Sequence, residues 1–233
     1  MSHPILRLAV SRYHLSSFEN SFLAQSAVSP RLSLAEAAER AAAFALLAVA
    51  TPVIATSAVV VKLLSRRSPF VAHLRVGRHG RPFWTLKLRS MWPSDEQEST
   101  SSGWVEYIVA EPEEDSKDRF DSRIASRFAA FCRRHSLDEL PQLWHVVRGE
   151  MSLVGPRPLT RAEVERYYGL HAAELLSAKP GITGLWQVYG RSAIRFPRRS
   201  AMDLEMVRTL DARMYLRILW RTIPAIIRGN GAW

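Results

Sequence analysis

The sequence predicts an α+β protein, mainly helical, in which one membrane-embedded segment tethers a small cytosolic domain. Three observations carry this. The 21 residues Ala41 to Val61 (AAAFALLAVATPVIATSAVVV) hold no charge, and about 20 apolar residues at helical rise cross a bilayer core. The body after it is polar and arginine-rich, with apolar residues at helical spacing in several stretches. Between the two, Phe83 to Leu88 (FWTLKL) reads as a short strand after the turn residues Gly77 and Gly80.

In chain order, residues 1–33 lack sustained periodicity and are expected to form a poorly ordered head. Residues 34–65 form the membrane segment, entered through an amphipathic stretch (Leu34, Ala37, Ala38, Ala41). Thr51-Pro52 lies at its midpoint. Pro52 has no amide for the helical ladder and crowds the preceding turn, so a bend or break is expected there. Thr51 can return a hydroxyl to a freed carbonyl, which makes a break tolerable in lipid. From Lys62 to Met91 there are eight bases and no acids, which holds that flank at the cytoplasm and against anionic headgroups. A straight span puts residues 1–40 on the far side, whereas a helix–break–helix hairpin returns both ends to the cytoplasm. The residues alone favour the plain span, because prolines are common in spanning helices. A cleaved signal peptide is excluded, since its charged region should lie at the start, next to a shorter apolar stretch.

Residues 66–233 form the cytosolic domain. Within it, Asp95 to Asp121 carries ten acids and two bases and reads as a mobile acidic insertion. Helices are predicted at Arg123–Arg134, Leu137–Val147, Thr160–Ser177 and Ala201–Arg228. The formal net charge is +10, with 28 arginines to 4 lysines. Genomic base composition produces such a bias, and so does a surface for phosphates, which the planar guanidinium grips bidentately. No helix-turn-helix, zinc-finger or aromatic RNA-binding pattern supports nucleic acid as a partner. The single cysteine, Cys132, fits a reducing compartment and reads as a small buried side chain rather than a nucleophile.

Three clusters between Arg133 and Arg191 hold the candidate chemistry. Ser136-Leu137-Asp138-Glu139 fits a capping box, with Ser136 as N-cap and Glu139 reaching back to its amide. That leaves Asp138 unexplained. Adjacent carboxylates at a helix N-terminus feel its positive end, which keeps an aspartate ionised at neutral pH. An ionised aspartate can attack phosphorus, and a neighbouring glutamate can hold a divalent cation. In Gly155-Pro156-Arg157-Pro158 the two prolines hold an arginine on a stiff extended frame. This is either a rigid turn or a preorganised phosphate clamp. Lys179 to Gly184 (KPGITG) and Trp186 to Arg191 (WQVYGR) supply glycines and bases for a tight loop close to a ligand, or for a turn with solvated bases.

Taken together, His135 to Pro158 (HSLDELPQLWHVVRGEMSLVGPRP) and the later KPGITGLWQVYGR resemble the bacterial sugar transferases, the monotopic phosphoglycosyl transferases. The resemblance extends upstream through Arg75–Arg78 and Lys87–Met91, downstream through Asp203-Leu204 and Arg221–Ile223, and covers roughly residues 35–231. It implies transfer of a sugar-1-phosphate from a UDP-sugar donor to a polyprenyl (undecaprenyl) phosphate acceptor in the lipid bilayer. UMP is released, as an early step of exopolysaccharide or glycoconjugate synthesis. By the same resemblance Asp138 is the nucleophile and Glu139 its partner, associated with Mg²⁺. Arg157 contacts phosphate, with Pro158 framing it and Arg133 and Lys87 as further contacts. Gln187 and Arg191 belong to a substrate-side loop. Thr51 and Pro52 match the break of a re-entrant membrane helix, which reverses the preference for a plain span and places the domain on the cytoplasmic face of the bacterial inner membrane. Three residues depart from the family's pattern: His145 stands where asparagine is usual, Leu74 where glutamine is common, and Met206 where tyrosine is frequent. Two other classes fit parts of the chain. A non-catalytic scaffold of polysaccharide assembly would not need Asp138, and a basic membrane-surface or nucleic-acid-binding module would not need the paired carboxylates.

Overall fold

The computed structural model describes residues 33–92, 103–109, 126–190 and 193–229. Residues 1–32 of the predicted head, most of the acidic insertion at 95–121, and Arg191 lie outside the described residues.

Helix α1 (Leu34–Ser65) takes the lead-in and the uncharged run into one 32-residue helix, about 48 Å long at 1.5 Å per residue. Alanine and leucine supply the propensity. The chain is helical on both sides of Pro52, so of the bend or break expected there, the break does not occur. It deprives the Ala48 carbonyl of its amide. Thr51 donates its hydroxyl to Leu47 O at 2.7 Å, and Thr56 donates to Pro52 O at 2.8 Å. Thr51 therefore serves the carbonyl beside the freed one.

Both ends of α1 are fastened to the same polar body. Near its start, Lys179 donates to Glu36 at 2.9 Å and Arg40 to Val147 O at 2.7 Å. One carboxylate oxygen of Glu39 accepts from Leu153 N at 2.7 Å and from the hydroxyls of Ser152 and Tyr215. Ala43 is buried with Leu143, Val146, Met151 and Leu153. Near its end, Ala58 and Val61 are buried with Leu88, Trp92, Ala129 and Cys132. The other faces of the helix leave Phe44, Leu46, Val49, Val59 and Leu63 exposed.

After α1 the chain forms a hairpin, β1 (Phe70–Val76) antiparallel to β2 (Pro82–Leu88). The turn between them needs positive φ at His79 and Gly80. Strand β3 (Val105–Ile108) lies parallel to β1 on its other edge. The predicted strand at 83–88 is thus one of three. The register sets Val71 opposite Lys87 and His73 opposite Thr85, which fixes the position of Lys87 near the end of β2.

Helix α2 (Arg127–Arg134) is capped by Ser126, whose hydroxyl accepts from Ala129 N. The predicted helix Leu137–Val147 divides into a 3₁₀ turn (Leu137–Gln142) and α3 (Leu143–Arg148). Pro141 inside the turn excludes a regular α-helical ladder there. The predicted helix Thr160–Ser177 also divides. Helix α4 (Arg161–Tyr168) opens with a capping box of Thr160 and Glu163, Gly169 at φ 47° stops it, and α5 (Ala172–Leu175) comes after. Strands β4 (Ser152–Val154) and β5 (Gly181–Thr183) pair in parallel. A Cβ on Gly155 would lie 2.4 Å from Lys179 O, and one on Gly181 2.0 Å from Gly155 N. These glycines bring two backbones together rather than admitting a ligand. Helix α6 (Leu185–Tyr189) leads to α7 (Arg198–Thr209) and α8 (Ala212–Arg228). The predicted helix Ala201–Arg228 breaks between these two, where Leu210 turns extended and Asp211 caps α8 by accepting from Met214 N.

Candidate active site

The turn that carries Asp138 begins under backbone strain. Ser136 is left-handed (φ 54°) and makes no side-chain cap, so the predicted capping box is not formed there. For a residue other than glycine this conformation costs on the order of 1 kcal/mol. It swings the chain from α2 into the 3₁₀ turn and buries Asp138, which is 8% exposed. The Asp138 carboxylate accepts from Ser90 Oγ at 3.2 Å. Burial, then the Glu139 charge, push its carboxyl up to about 6, against the pull of Lys87, Arg133 and the Ser90 hydroxyl. The group remains below neutrality, as an aspartate ionised at neutral pH requires, but the positive end of the turn does not set its position. The 3₁₀ turn is short, and desolvation outweighs its dipole.

Glu139 is braced by cations from two other elements. Lys87 Nζ on β2 donates to its Oε1 at 3.2 Å, and Arg157 Nη1 approaches the same oxygen at 3.6 Å. Arg133, on the last turn of α2, donates to Met91 Sδ at 2.8 Å. Asp138, Glu139, Lys87, Arg133, Arg157 and Gln187 all line one cavity of about 750 Å³. Gln187 sits on α6, donates Nε2 to Ile182 O at 2.9 Å, and its buried Oε1 has no partner among the described residues. Pro158 lies just outside, on a small space shared with Arg75, Thr85 and Arg157. Lys179, a base of the third motif, pairs instead with Glu36 on α1.

Four contributors escape motif reading. Ser90 directly contacts the acid pair. Arg199 lines the cavity with its guanidinium 4.5 Å above the Trp186 ring, a cation–π contact. Asp203 is fully buried, accepts from Tyr168 Oη at 2.8 Å, and is pushed up to about 7 by burial, while Tyr168, Trp186, Arg157 and Arg199 oppose the shift. The Trp186 indole N–H also favours the ionised carboxylate. His145 accepts the Leu86 N–H on Nε2 at 3.0 Å and donates Nδ1–H to Glu150 at 2.7 Å, an assignment set by the network. It thereby ties β2, one residue before Lys87, to the helix after the acid pair. Only the spacing of His145 from the Asp-Glu pair, by two helical turns, hinted at such a role. Cys132 is buried with its thiol pushed up to about 11, which keeps it protonated at neutral pH.

The remaining wall of the cavity is apolar: Leu46, Val49 and Val53 from α1 face Leu219, Ile223 and Ile226 from α8. A buried aspartate beside a half-buried glutamate, several cations and an apolar wall supplied by a long exposed helix define a class of protein: a polar domain with a long apolar helix, its polar centre opening beside that helix. The chain matches the bacterial sugar transferase family over residues 31–229. It is 44% identical to the UDP-galactose-lipid carrier transferase of Erwinia amylovora over 167 residues, which are 71% of this chain and 35% of that protein. It is 41% identical to the undecaprenyl-phosphate galactose phosphotransferase of Salmonella typhimurium over 162 residues, 69% of this chain and 34% of that protein. Against the exopolysaccharide production protein ExoY of Sinorhizobium fredii it is 36% identical over 180 residues, 74% of this chain and 76% of that one. The chain thus spans about a third of the length of the first two relatives and about three quarters of the third. It belongs to the bacterial sugar transferase family.

Proposed function

We propose that this chain transfers a sugar-1-phosphate from a UDP-sugar to polyprenyl (undecaprenyl) phosphate and releases UMP. The observation that carries this is the Asp138–Glu139 pair, Asp138 buried and Glu139 half-buried, lining with Lys87, Arg133 and Arg157 one cavity whose other lining comes in part from the apolar helix α1. The names of the relatives, which specify a UDP-galactose-lipid carrier transferase and an undecaprenyl-phosphate phosphotransferase, support the same reaction class.

In the first half-reaction an Asp138 oxygen bonds to the sugar-bearing phosphorus as that phosphorus parts from the bridging oxygen, which leaves with UMP. Lys87, Arg133 and Arg157 balance the charge that gathers on the phosphate oxygens. In the second, a phosphate oxygen of the acceptor bonds to the same phosphorus and the Asp138 carboxylate departs. Raised to about 6, Asp138 is ionised at neutral pH yet basic enough to attack, and that basicity is the benefit of its burial.

Glu139 and Asp138 fit a magnesium ion. The Glu139 charge raises the proton affinity of Asp138, so a cation beside them relieves repulsion. Magnesium is commonly held by one or two carboxylates, with substrate phosphates and water completing its shell. When bound by Glu139 it would supply charge neutralisation at the diphosphate.

The same proposal places the chain at the inner membrane with its catalytic body in the cytoplasm. Both ends of α1 are fastened to one body by Glu36, Glu39 and Arg40 at one end and by Ala58 and Val61 at the other. A helix that carried its first turns across the bilayer could not make those contacts, which supports the re-entrant topology. Helix α8 adds an interfacial face, with Leu216, Trp220, Ile223 and Ile227 exposed at i, i+4, i+7 and i+11 and arginines flanking them.

The test is to incubate the purified protein in lipid with a panel of UDP-sugars and follow UMP release and a sugar-phosphate adduct on Asp138. Failure of every donor to release UMP would overturn the reaction.

A further inference from the structure

We propose that His145 is a positioning residue for the transfer: it clamps the edge of strand β2 to helix α3 and so sets where Lys87 meets Glu139. This rests on the reaction proposed above.

Strand β2 lies at the edge of its sheet, with β1 on one side only. The Leu86 amide turns outward and donates to His145 Nε2 at 3.0 Å. His145 is buried, and its other polar atoms are already committed. Its carbonyl accepts from Glu150 N at 2.9 Å and Met151 N at 3.2 Å, and its Nδ1 bonds Glu150 at 2.7 Å. Glu150 is held in turn by Arg148 at 3.0 Å. Phe83 meets the ring edge-on, with 5.7 Å between centroids. A backbone amide can only donate, so Nε2 carries the lone pair and Nδ1 the hydrogen. The ring is therefore a strut of fixed orientation between two elements. One is α3, which continues directly from the turn that holds Asp138 and Glu139. The other is β2, where Lys87 follows Leu86. Lys87 Nζ lies 3.2 Å from Glu139 Oε1, and a misplacement of about 1 Å in such a site can cost about a hundredfold in rate. Lys87 acts on charge that gathers as the phosphorus is transferred, so slack in β2 lowers the rate more than it weakens donor binding. The asparagine usual at this position in the family ends at the level of Nδ1, one bond short of Nε2, so the strut is this chain's own.

The experiment uses His145→Leu, His145→Gln and Lys87→Met, singly and combined, in the full chain reconstituted in phosphatidylcholine vesicles. It reads the rate of the UMP burst at saturating UDP-sugar and the donor concentration that half-saturates it. Leucine keeps bulk without an acceptor, whereas the glutamine amide oxygen reaches the place of Nε2. If His145 acts through Lys87, His145→Leu slows the burst about tenfold or more, with half-saturation moved less than about threefold. His145→Gln stays within about threefold of the parent, and leucine costs under about twofold once Lys87 is methionine. An unchanged burst in His145→Leu overturns the proposal. So does a loss as large in glutamine as in leucine, or one that persists in full in the Lys87→Met background, because His145 would then serve folding alone. A second variant leaves the ring in place: an ester bond in place of the Leu86 amide removes only the N–H, and it should slow the burst as leucine does. A parental rate there overturns the proposal even where His145→Leu fails to fold. Absence of any UMP burst in the parent protein defeats the reaction itself, a result read without a variant.

Discussion

At Asp138, burial and the Glu139 charge push the carboxyl up to about 6, and cations and the Ser90 hydroxyl oppose them. Two outcomes arise from the same number. With Asp138 as the proposed nucleophile, activity requires the ionised form, so turnover should be flat above neutrality and fall about tenfold per pH unit below about 6. A pH profile of initial rate that stayed level down to pH 4.5 would remove Asp138 as the nucleophile. Stability has the opposite sign. The folded carboxyl titrates above its unfolded value, so it favours the fold only while protonated, and that contribution is lost as pH rises from about 4 through about 6. Asp138→Asn mimics the protonated group. It should abolish turnover and, above pH 7, melt higher than the parent by the equivalent of about 2 kcal/mol, a gain that shrinks toward pH 4. Thermal unfolding at the two pH values checks this. Arg157 makes a different demand. Arg157→Lys preserves charge beside Glu139 but loses the fork, and kcat should drop at least about tenfold at saturating donor. An unchanged kcat would leave the Pro-Arg-Pro segment as a stiff turn. The motifs made Asp138, Glu139 and Arg157 legible because their neighbours in sequence constrain them. Ser90 and Asp203 lie in stretches that resemble the family, but neither they nor Arg199 could be given a role, because each comes from an element distant in sequence from the acid pair.

The elements that carry these residues were legible where one periodicity ran uninterrupted. Helix α1 stood out from its run of apolar residues, and β2 from its alternation. Helix ends were misplaced where a single residue overrode a good pattern: Pro141 in the 3₁₀ turn, Gly169 after α4, and Leu210 before the Asp211 cap. Strands β4 and β5 are three residues each and leave no period to detect. The acids of α1 belong to no motif in the sequence. In the folded chain Glu39 is an anchor that accepts from a backbone amide of β4, a serine and a tyrosine on α8. Glu39→Ala leaves three donors without their acceptor, and hydrogen bonds to a charged group contribute about 1.5–3 kcal/mol each. The variant should unfold at least about 2 kcal/mol more easily, while Glu36→Ala, which breaks one partly exposed pair with Lys179, should cost under about 1 kcal/mol. Equal effects in a thermal melt would mean that α1 is held by its alanine face alone.

For the whole molecule the arrangement of α1 decides which side of the membrane each part occupies. Hydropathy fits both a span and a hairpin, because it counts apolar residues and is blind to what the ends touch. The ends decide it. Glu39 and Arg40 bond to β4, α3 and α8, while Val61 packs on β2 and α2, so one body holds both ends of a helix about 48 Å long. If that body is cytoplasmic, as proposed above from the eight bases between Ser57 and Trp92, the start of α1 is cytoplasmic too. Leu34, at the first position of α1 and 91% exposed, is a suitable reporter, since Cys132 is buried and silent. In Leu34→Cys, a membrane-impermeant maleimide added to intact cells should leave the thiol unlabelled and should label it fully once the inner membrane is opened. Labelling in intact cells to the extent seen at a known periplasmic cysteine would mean that α1 crosses the bilayer. The contacts of Glu36, Glu39 and Arg40 would then have to be released in the membrane, and the cavity wall that α1 and α8 share would be lost with them.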